Sequence, residues 1–338
     1  MSGAESAGRG VEAAAATAEA DGEFRGHGVL RASGAYLGIA LIGAALWFLL
    51  GHVNAFYSNI LASIMIWTIA TSGLNLIAGL GGYPSLVQGA FYGIGAYTSS
   101  IALAHGQPLW AATALAVALA GAAGLGVGII FSRTRGQYFA IGTLFFGAVV
   151  GLVMNNWASL TQGPIGLSVP FAVPDLETLN ALIAVCMVLS LALVVFIGRR
   201  RLGLRLVAVR EDEDLAEHVG VPTAWTKLAA FVLSACVGGL AGVLIAQYNG
   251  TISPELFDYY VGFVMFVALA VGGAGRVLGP LLGSTFIVGV PHLLNLSSGI
   301  GQLLVGIVFV AVMILVPGGF MSAVDAVLVV FRRGGQSQ

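Results

Sequence analysis

Long stretches without any charged side chain dominate the chain. No Lys, Arg, Asp or Glu occurs between residues 32 and 132, and further uncharged stretches cover 136–174, 178–198, 228–254 and 277–324. A membrane-spanning helix needs about 20 mostly apolar residues, so each stretch is long enough for at least one helix. The pattern therefore predicts an all-α, polytopic membrane protein.

Turn-forming residues divide these stretches into about ten transmembrane segments. The breaks are Asn54 and the Gly-, Pro- and Asn-containing segments 79–84, 105–108, 161–164 and 295–299. The predicted helices cover 35–51, 58–79, 87–104, 109–131, 138–157, 179–198, 228–248, 259–273, 277–296 and 300–317. The segment 259–273 is short enough to be a broken or re-entrant helix.

The basic residues predict how these helices are oriented, because cytoplasmic connections are enriched in Lys and Arg. With ten helices, one side of the membrane receives Arg31, Arg133, Arg135, the basic residues of 199–227, Arg276, Arg332 and Arg333. The opposite side receives no basic residue and the acids Asp175, Glu177, Glu255 and Asp258. Both termini are thus predicted to be cytoplasmic.

Composition supports a bilayer environment and defines three regions. Charged residues make up 9% of the chain, against about 25% in soluble domains, and the net charge of −1 gives no reason to expect nucleic-acid binding. Residues 1–31 have too little apolar content to fold and predict a disordered cytoplasmic tail. Residues 32–319 form the transmembrane domain, and 320–338 an interfacial segment followed by a cytoplasmic tail.

The predicted spans lack the chemistry of an enzyme. They contain no paired carboxylates and no metal-binding His or Cys motif, and Cys186 and Cys236 lie within apolar stretches. A phosphate-binding loop needs Gly-Lys-Ser/Thr, whereas Thr226 precedes the single lysine, Lys227. The chain is therefore predicted to be no enzyme, and any ATP-driven process would need a separate ATPase. Sodium coupling at broken helices stays open.

Glycine clusters at 93–97, 121–128 and 272–280 predict close packing between helices, because small residues let two backbones approach. No strand precedes them, as a dinucleotide-binding loop would require. The last cluster flanks Arg276 and is either a hinge or a turn.

The one strongly charged segment lies between two spans. Five acidic residues occupy positions 211–217, directly after the arginines of 199–205. The first four, 211–214, are predicted to begin a short amphipathic helix, since a helix N-terminus favours negative charge. Ala216 and Gly220, four positions apart, are predicted to form a small-residue notch on one face that fits a groove in a partner ATPase. The alternative is a solvated loop with a charged face.

The chain resembles the M-type permease subunit of branched-chain amino-acid ABC importers over nearly all of 58–320. The resemblance rests on "SGLNLIAGLGGYPSLVQGAFYGIGAY", "RGQYFAIGTLFFG", "NNWASLTQGPIGL", "RLGLRLVAVREDEDLAEHVGVPTAWTK" and "GGAGRVLGPLLGS". Two positions depart from the family pattern: Gln88 stands where histidine is common, and Gln162 stands where glycine is usual.

The resemblance implies a permease of the cell inner membrane that pairs with an H-type permease chain, two cytoplasmic ATPase subunits and an extracytoplasmic substrate-binding protein. This chain would hold no cofactor, and the ATPases would bind ATP and Mg. The implied substrates are branched-chain amino acids. Urea, short amides or another small solute are alternatives within the family; a stand-alone secondary carrier or channel and a structural scaffold are alternatives outside it.

Three sets of residues are candidates for this activity. The ATPase-coupling set is Arg210, Glu211, Asp212, Glu213, Asp214, Ala216, Glu217 and Gly220. The substrate pathway set is Asn75, Gln88, Tyr92, Thr143, Asn155, Asn156 and Thr161, for which hydrogen bonding between helices is the alternative interpretation. Loops 158–178 and 250–258, with Asp175, Glu177, Glu255 and Asp258, are the predicted docking surface for the binding protein.

Overall fold

The computed structural model describes residues 34–52, 54–134 and 136–293, with the single positions 299, 303, 306, 307, 310 and 320. The helices are α1 Gly34–His52, α2 Ala55–Leu74, α3 Gln88–Ala104, α4 Leu109–Phe131, α5 Gly136–Asn156, α6 Ala158–Thr161, α7 Leu176–Arg199, α8 Arg201–Glu211, α9 Glu213–His218, α10 Thr223–Asn249, α11 Tyr259–Gly272, α12 Gly279–Ser284 and α13 Val290–Leu293. Two π-helical turns, Asn75–Leu80 and Thr285–Gly289, continue α2 and join α12 to α13. Short 3-10 turns lie at Gly163–Ile165 and Pro254–Phe257.

Seven helical segments in the described part of the chain are long and apolar enough to cross a membrane. They are α1, α2 with its π turn, α4, α5, α7, α10, and α11 with the 3-10 turn before it. Helix α3, with 17 residues, and the segment Gly279–Leu293 are shorter. Nine of the ten predicted helices thus coincide with helical segments, and the predicted helix 300–317 lies almost wholly outside the described residues.

Helix α10 is the centre of the bundle and packs against α2, α3 and α4. Helices α7, α11 and α12 pack on other sides of α2, and α1 lies at the periphery beside α7. Only 17% of the α1 span is buried, against 83% for α2 with its π turn. The most enclosed part of the bundle is therefore formed by α2, α3 and α10.

Helix α4 shows why the spans are hydrophobic on all sides. Its buried positions are small residues at four-residue spacing, Ala112, Ala116 and Ala120, whereas large side chains such as Leu119 and Ile130 are exposed. In a bilayer the outer face needs apolar side chains for the lipid, and the inner face needs small ones for close packing.

Helices α3 and α10 approach each other most closely at glycines. A Cβ on Gly242 would lie 2.0 Å from the carbonyl oxygen of Tyr92, and one on Gly95 would lie 2.1 Å from that of Gly239. Both contacts are with backbone, which cannot rotate away as a side chain could. The predicted role of the glycine cluster at 93–97 in helix packing is confirmed.

A two-stranded antiparallel ladder joins two of the loops at one end of the bundle. Strand β1, Leu167–Ser168, pairs with β2, Thr251–Ile252, with Leu167 opposite Ile252. The Gln247 amide reinforces this link by accepting from the Ala172 amide and donating to the Pro170 carbonyl, at 3.0 and 3.1 Å. The ladder was not predicted, because two residues per strand are too few to show an alternating pattern.

The basic connections meet at the opposite end of the bundle. The Lys227 ammonium donates to the carbonyl oxygen of Ser132, which follows α4, and the Arg210 guanidinium donates to that of Gly79, which follows α2. The Asn75 amide donates to the carbonyl oxygen of Arg276, between α11 and α12. Three connections that carry basic residues, those of Arg133, of 199–227 and of Arg276, are therefore linked at this end, the last of them through the end of α2.

Candidate functional site

The charged segment forms two helices, which corrects the prediction of one. Helix α8 buries Leu206 and Val209 and ends where Asp212 adopts an extended conformation, with φ −158° and ψ 109°. The Asp212 carboxylate then accepts a hydrogen bond from the Leu215 amide at 2.9 Å and caps α9. A carboxylate there is favourable because the first amides of a helix have no partner within it. Glu211 instead ends α8, so its predicted place at a helix N-terminus is wrong.

The predicted notch is not formed as the sequence suggested. Helix α9 ends at His218, and Gly220 follows with φ +87° and open space around its Cα. The Gly220 amide donates to the Glu217 carbonyl and the Val221 amide to the Ala216 carbonyl, the hydrogen-bond pattern of a glycine-terminated helix. Ala216 is 3% exposed and packs into the protein. Gly220 thus ends the helix, and the two residues do not share an open face.

The outer face of α9 carries both apolar and acidic side chains. Leu215 and Val219 are 62% and 72% exposed, and Asp214 and Glu217 are exposed beside them. Two large apolar side chains are thus exposed next to acidic ones on this side of the segment. We call Asp214, Leu215, Glu217 and Val219 the α9 outer face. The periodicity that made this helix amphipathic was visible in the sequence, but it did not identify the outward side.

The inner face of α9 is joined to the bundle by charge. The Lys227 ammonium lies 2.5 Å from a carboxylate oxygen of Glu213, and the Tyr83 hydroxyl donates to the other oxygen of the same carboxylate. Lys227 is 1% exposed, and its nitrogen lies 4.5 Å from the centre of the Tyr83 ring. Sequence reasoning missed Lys227 and Tyr83 as site residues. The one available signal was a lone lysine at the start of an apolar stretch.

Gln88, proposed for the substrate pathway, is fully buried between three helices. Its amide nitrogen donates to the carbonyl oxygens of Ala70 and Ser234, at 2.9 and 3.3 Å, and its amide oxygen accepts from the Ser234 hydroxyl at 3.0 Å. Every polar atom of the Gln88 side chain is thus engaged by α2 and α10. This geometry favours the alternative interpretation, a hydrogen bond between helices.

The other pathway candidates lie in different surroundings. Asn75 and Thr143 are fully buried, and the Thr143 hydroxyl accepts from the Leu86 amide at 3.2 Å. Thr161 donates to the Met154 carbonyl at 2.7 Å and closes the turn after α5. Tyr92 is buried with its ring edge-on to Phe257. Asn155 and Asn156 are exposed at the end of α5, so the seven candidates do not line one continuous surface.

The predicted docking loops lie together at the end of the bundle that carries the β1–β2 ladder. Asp175 precedes α7 and Glu177 lies in its first turn; both are exposed, as is Glu255. The Asp258 carboxylate caps α11 by accepting from the Tyr259 amide at 2.7 Å. A mixed polar and apolar cavity of about 310 Å³ lies against the ladder. The docking role of these four acids stays a prediction.

Gln162 adopts a conformation that suits glycine. Its φ of +60° is the only left-handed value among the described non-glycine residues. A side chain in that region costs about 1–2 kcal/mol because its Cβ crowds the following carbonyl oxygen. Gln162 therefore replaces the family's usual glycine at a position whose backbone keeps the left-handed conformation that glycine adopts most easily.

We expect Gln162→Gly to raise the thermal unfolding temperature of the purified chain in detergent. Relief of the left-handed strain should stabilise the fold by about 1 kcal/mol. Gln107→Gly is the matched control, since Gln107 has no positive φ and the added backbone freedom should only destabilise. An equal or lower unfolding temperature for Gln162→Gly than for the natural chain would contradict the strain argument.

Comparisons with known proteins match the chain to one family. Residues 56–317 match the family model described as branched-chain amino acid transport system / permease component. The chain is 31% identical over 295 residues to the high-affinity branched-chain amino acid transport system permease protein LivM of Salmonella typhimurium, covering 78% of this chain and 69% of that protein. It is also 31% identical over 289 residues to LivM of Escherichia coli, covering 76% and 68%.

A second set of relatives is more distant. The permease protein LivH of Salmonella typhimurium is 25% identical over 282 residues, which cover 75% of this chain and 91% of LivH. No solved structure matches the chain. With the family match across most of the bundle and seven helices suited to a membrane, this chain is a multi-pass membrane protein that belongs to the family of branched-chain amino acid transport system permease components.

Proposed function

We propose that the chain is the transmembrane permease subunit of an ABC importer that carries branched-chain amino acids across the inner membrane. An H-type permease chain would complete the translocation unit, two cytoplasmic ATPases would bind ATP and Mg, and an extracytoplasmic binding protein would deliver the substrate. The similarity to both LivM and LivH supports a paired permease. The observation that carries the proposal is α9, a short helix outside the bundle with an outer face that combines apolar and acidic side chains.

The arrangement of charges supports ten spans with cytoplasmic termini. The connections that contain Arg133, Arg210, Lys227 and Arg276 meet at one end of the bundle, and Asp175, Glu177 and Glu255 lie near the other. By the positive-inside rule the basic end faces the cytoplasm. Helix α9 would then lie on the side where ATP is available.

A mechanism follows from these placements. Substrate would arrive at the end that carries the β1–β2 ladder, and the ATPases would engage the α9 outer face at the opposite end. Closure of the ATPases would shift the bundle between two arrangements, because a partner that binds one arrangement more tightly raises its population. The chain itself needs no covalent chemistry for this role.

The test is uptake of radiolabelled leucine, isoleucine and valine into proteoliposomes that contain the chain with its co-purifying partners. We expect uptake to require ATP on the side of the vesicle membrane where the ATPases lie. Vesicles that contain only the permease chains should show no uptake. Uptake by the single chain without ATP would indicate the secondary carrier or channel instead. If urea or short amides compete for uptake and the three amino acids do not compete with one another, the chain would still be an ABC importer subunit, but for a different substrate.

A further inference from the structure

A buried ammonium group lies where three connections meet. Lys227, in the first turns of α10, is 1% exposed and approaches the Glu213 carboxylate to 2.5 Å. It also donates to the Ser132 carbonyl at 3.3 Å and lies over the ring of Tyr83. The chain thus brings α9, the end of α4 and the α2–α3 connection onto one side chain of α10.

Fold stability alone is a poor explanation for the Glu213–Lys227 ion pair. Removing two charges from water is costly, and a buried ion pair is often no more stabilising than apolar residues of the same size. What such a pair does provide is one defined arrangement of the groups around it, because each charge is strongly unfavourable without its partner. The Glu213–Lys227 pair therefore fixes where α9 sits on α10.

Helix α9 needs such a fixed attachment. A helix of six residues is far below the length that is stable by itself in water. Its ends are closed by Asp212 and Gly220, but these contacts lie within the segment and do not attach it to the bundle. Attachment comes from buried Ala216 and from Glu213, which binds α10 and the α2–α3 connection together.

The attachment continues into the spans. Arg210, in the last turn of α8, donates to the Gly79 carbonyl in the π turn of α2 at 2.9 Å. Asn75, at the start of that turn, accepts from the Gly275 amide at 2.8 Å and donates to the Arg276 carbonyl at 2.9 Å. Polar contacts thus join the last turn of α8 to the π turn of α2, and that turn to the connection between α11 and α12.

From these contacts we infer that the Glu213–Lys227 pair, together with Tyr83, forms the contact that transmits movement of α9 to α10 and α2. Glu213 and Lys227 are positioning residues that face the bundle, whereas the α9 outer face meets the partner. The inference rests on the proposed function, since it assumes that an ATPase moves α9.

The test uses the double variant Glu213→Gln/Lys227→Met, which removes both charges, keeps the side-chain shapes and leaves no unpaired buried charge. Arg205→Gln is the matched control, because it removes an exposed charge of α8 at the same end. In the first measurement, hydrogen exchange of the α9 amides is followed in the purified chain. Loss of charged hydrogen bonds should speed exchange in α9 by about tenfold and leave α4 unchanged.

In the second measurement, leucine uptake and ATP hydrolysis are recorded in the same proteoliposomes of the assembled complex. We expect the double variant to hydrolyse ATP at close to the natural rate while the amount of leucine moved per ATP falls about tenfold. A contact that only stabilised the fold would lower uptake and hydrolysis together through loss of assembled complex. Arg205→Gln should behave as the natural protein in both measurements.

Three results would overturn the inference. They are unchanged exchange in α9, an unchanged ratio of leucine to ATP despite faster exchange, or uptake and hydrolysis that fall in equal proportion. A natural complex without ATP-driven uptake would instead count against the proposed function. In that case the exchange measurement still decides whether the pair attaches α9, because it needs neither substrate nor ATPase.

Discussion

Gly242→Ala should prevent the chain from accumulating in a folded form. The added Cβ would lie 2.0 Å from the Tyr92 carbonyl oxygen and 2.8 Å from the Ala96 amide nitrogen, so α3 and α10 would have to separate along their shared length. Overpacking a dense core commonly costs about 1–3 kcal/mol. We expect at least the upper value here, because the obstacle is backbone at the centre of the bundle. The measurement is the yield of monodisperse protein and its thermal unfolding in detergent.

Gly126→Ala is the matched control for that prediction. Gly126 lies in α4, a helix of similar length, and a Cβ there would meet nothing within 4 Å. In a helix, alanine without a clash is favoured over glycine by about 1 kcal/mol, so the control should be as stable as the natural chain or more so. Equal unfolding temperatures for Gly242→Ala and the natural chain would mean that the two helices are not held at this distance.

Leu215→Glu should lower ATP-driven uptake by at least about tenfold while leaving the permease folded. Leu215 is 62% exposed on the α9 outer face and contributes little to the core, so the change should not lower the unfolding temperature. Loss of a hot-spot residue from an interface costs about 2 kcal/mol or more, roughly a 30-fold change in binding, and a carboxylate at an apolar contact adds the cost of burying a charge. We therefore expect both retention of the ATPase on the purified permease and ATP-dependent uptake to fall by at least about tenfold.

Leu215→Met tests whether that effect comes from the lost apolar contact. Methionine keeps the volume and the apolar character of the side chain, so binding and uptake should stay close to natural. Full uptake by Leu215→Glu would show that the ATPase does not contact this position. A loss of folded protein with Leu215→Glu would likewise contradict the exposed position assigned to the residue.

The positions of the spans were predictable because their signals are local. Uncharged length and turn residues are read along the chain, and they placed α3 at 87–104 where the structure has Gln88–Ala104. The charged segment was harder. Asp212 favours capping a new helix over continuing α8, a competition between two local conformations that the count of acidic residues does not resolve.

The contacts of the candidate site could not be read from the sequence, since they join distant residues. Gln88 and Ser234 are 146 positions apart, and Tyr83 and Glu213 are 130 apart. Which face of α9 turns inward depends on how α8 leaves α7 and how α9 meets α10, and neither follows from periodicity. For that reason Ala216 was predicted to face a partner, although the structure buries it.

Helix α10 is long and continuous enough to act as a rigid lever if it tilts. Its 27 residues span about 40 Å, longer than the hydrocarbon core of about 30 Å, and it runs unbroken from Lys227 to Asn249, two residues before β2. If the close contact at Gly242 is the fulcrum, the arm toward Lys227 is about 22 Å and the arm toward Asn249 about 10 Å. A tilt of about 10° would then move the Lys227 end by about 4 Å and the Asn249 end by about 2 Å in the opposite direction. A displacement at the Lys227 end would thus reach the loops of the β1–β2 ladder with a smaller amplitude and the opposite direction, without any change within the helix.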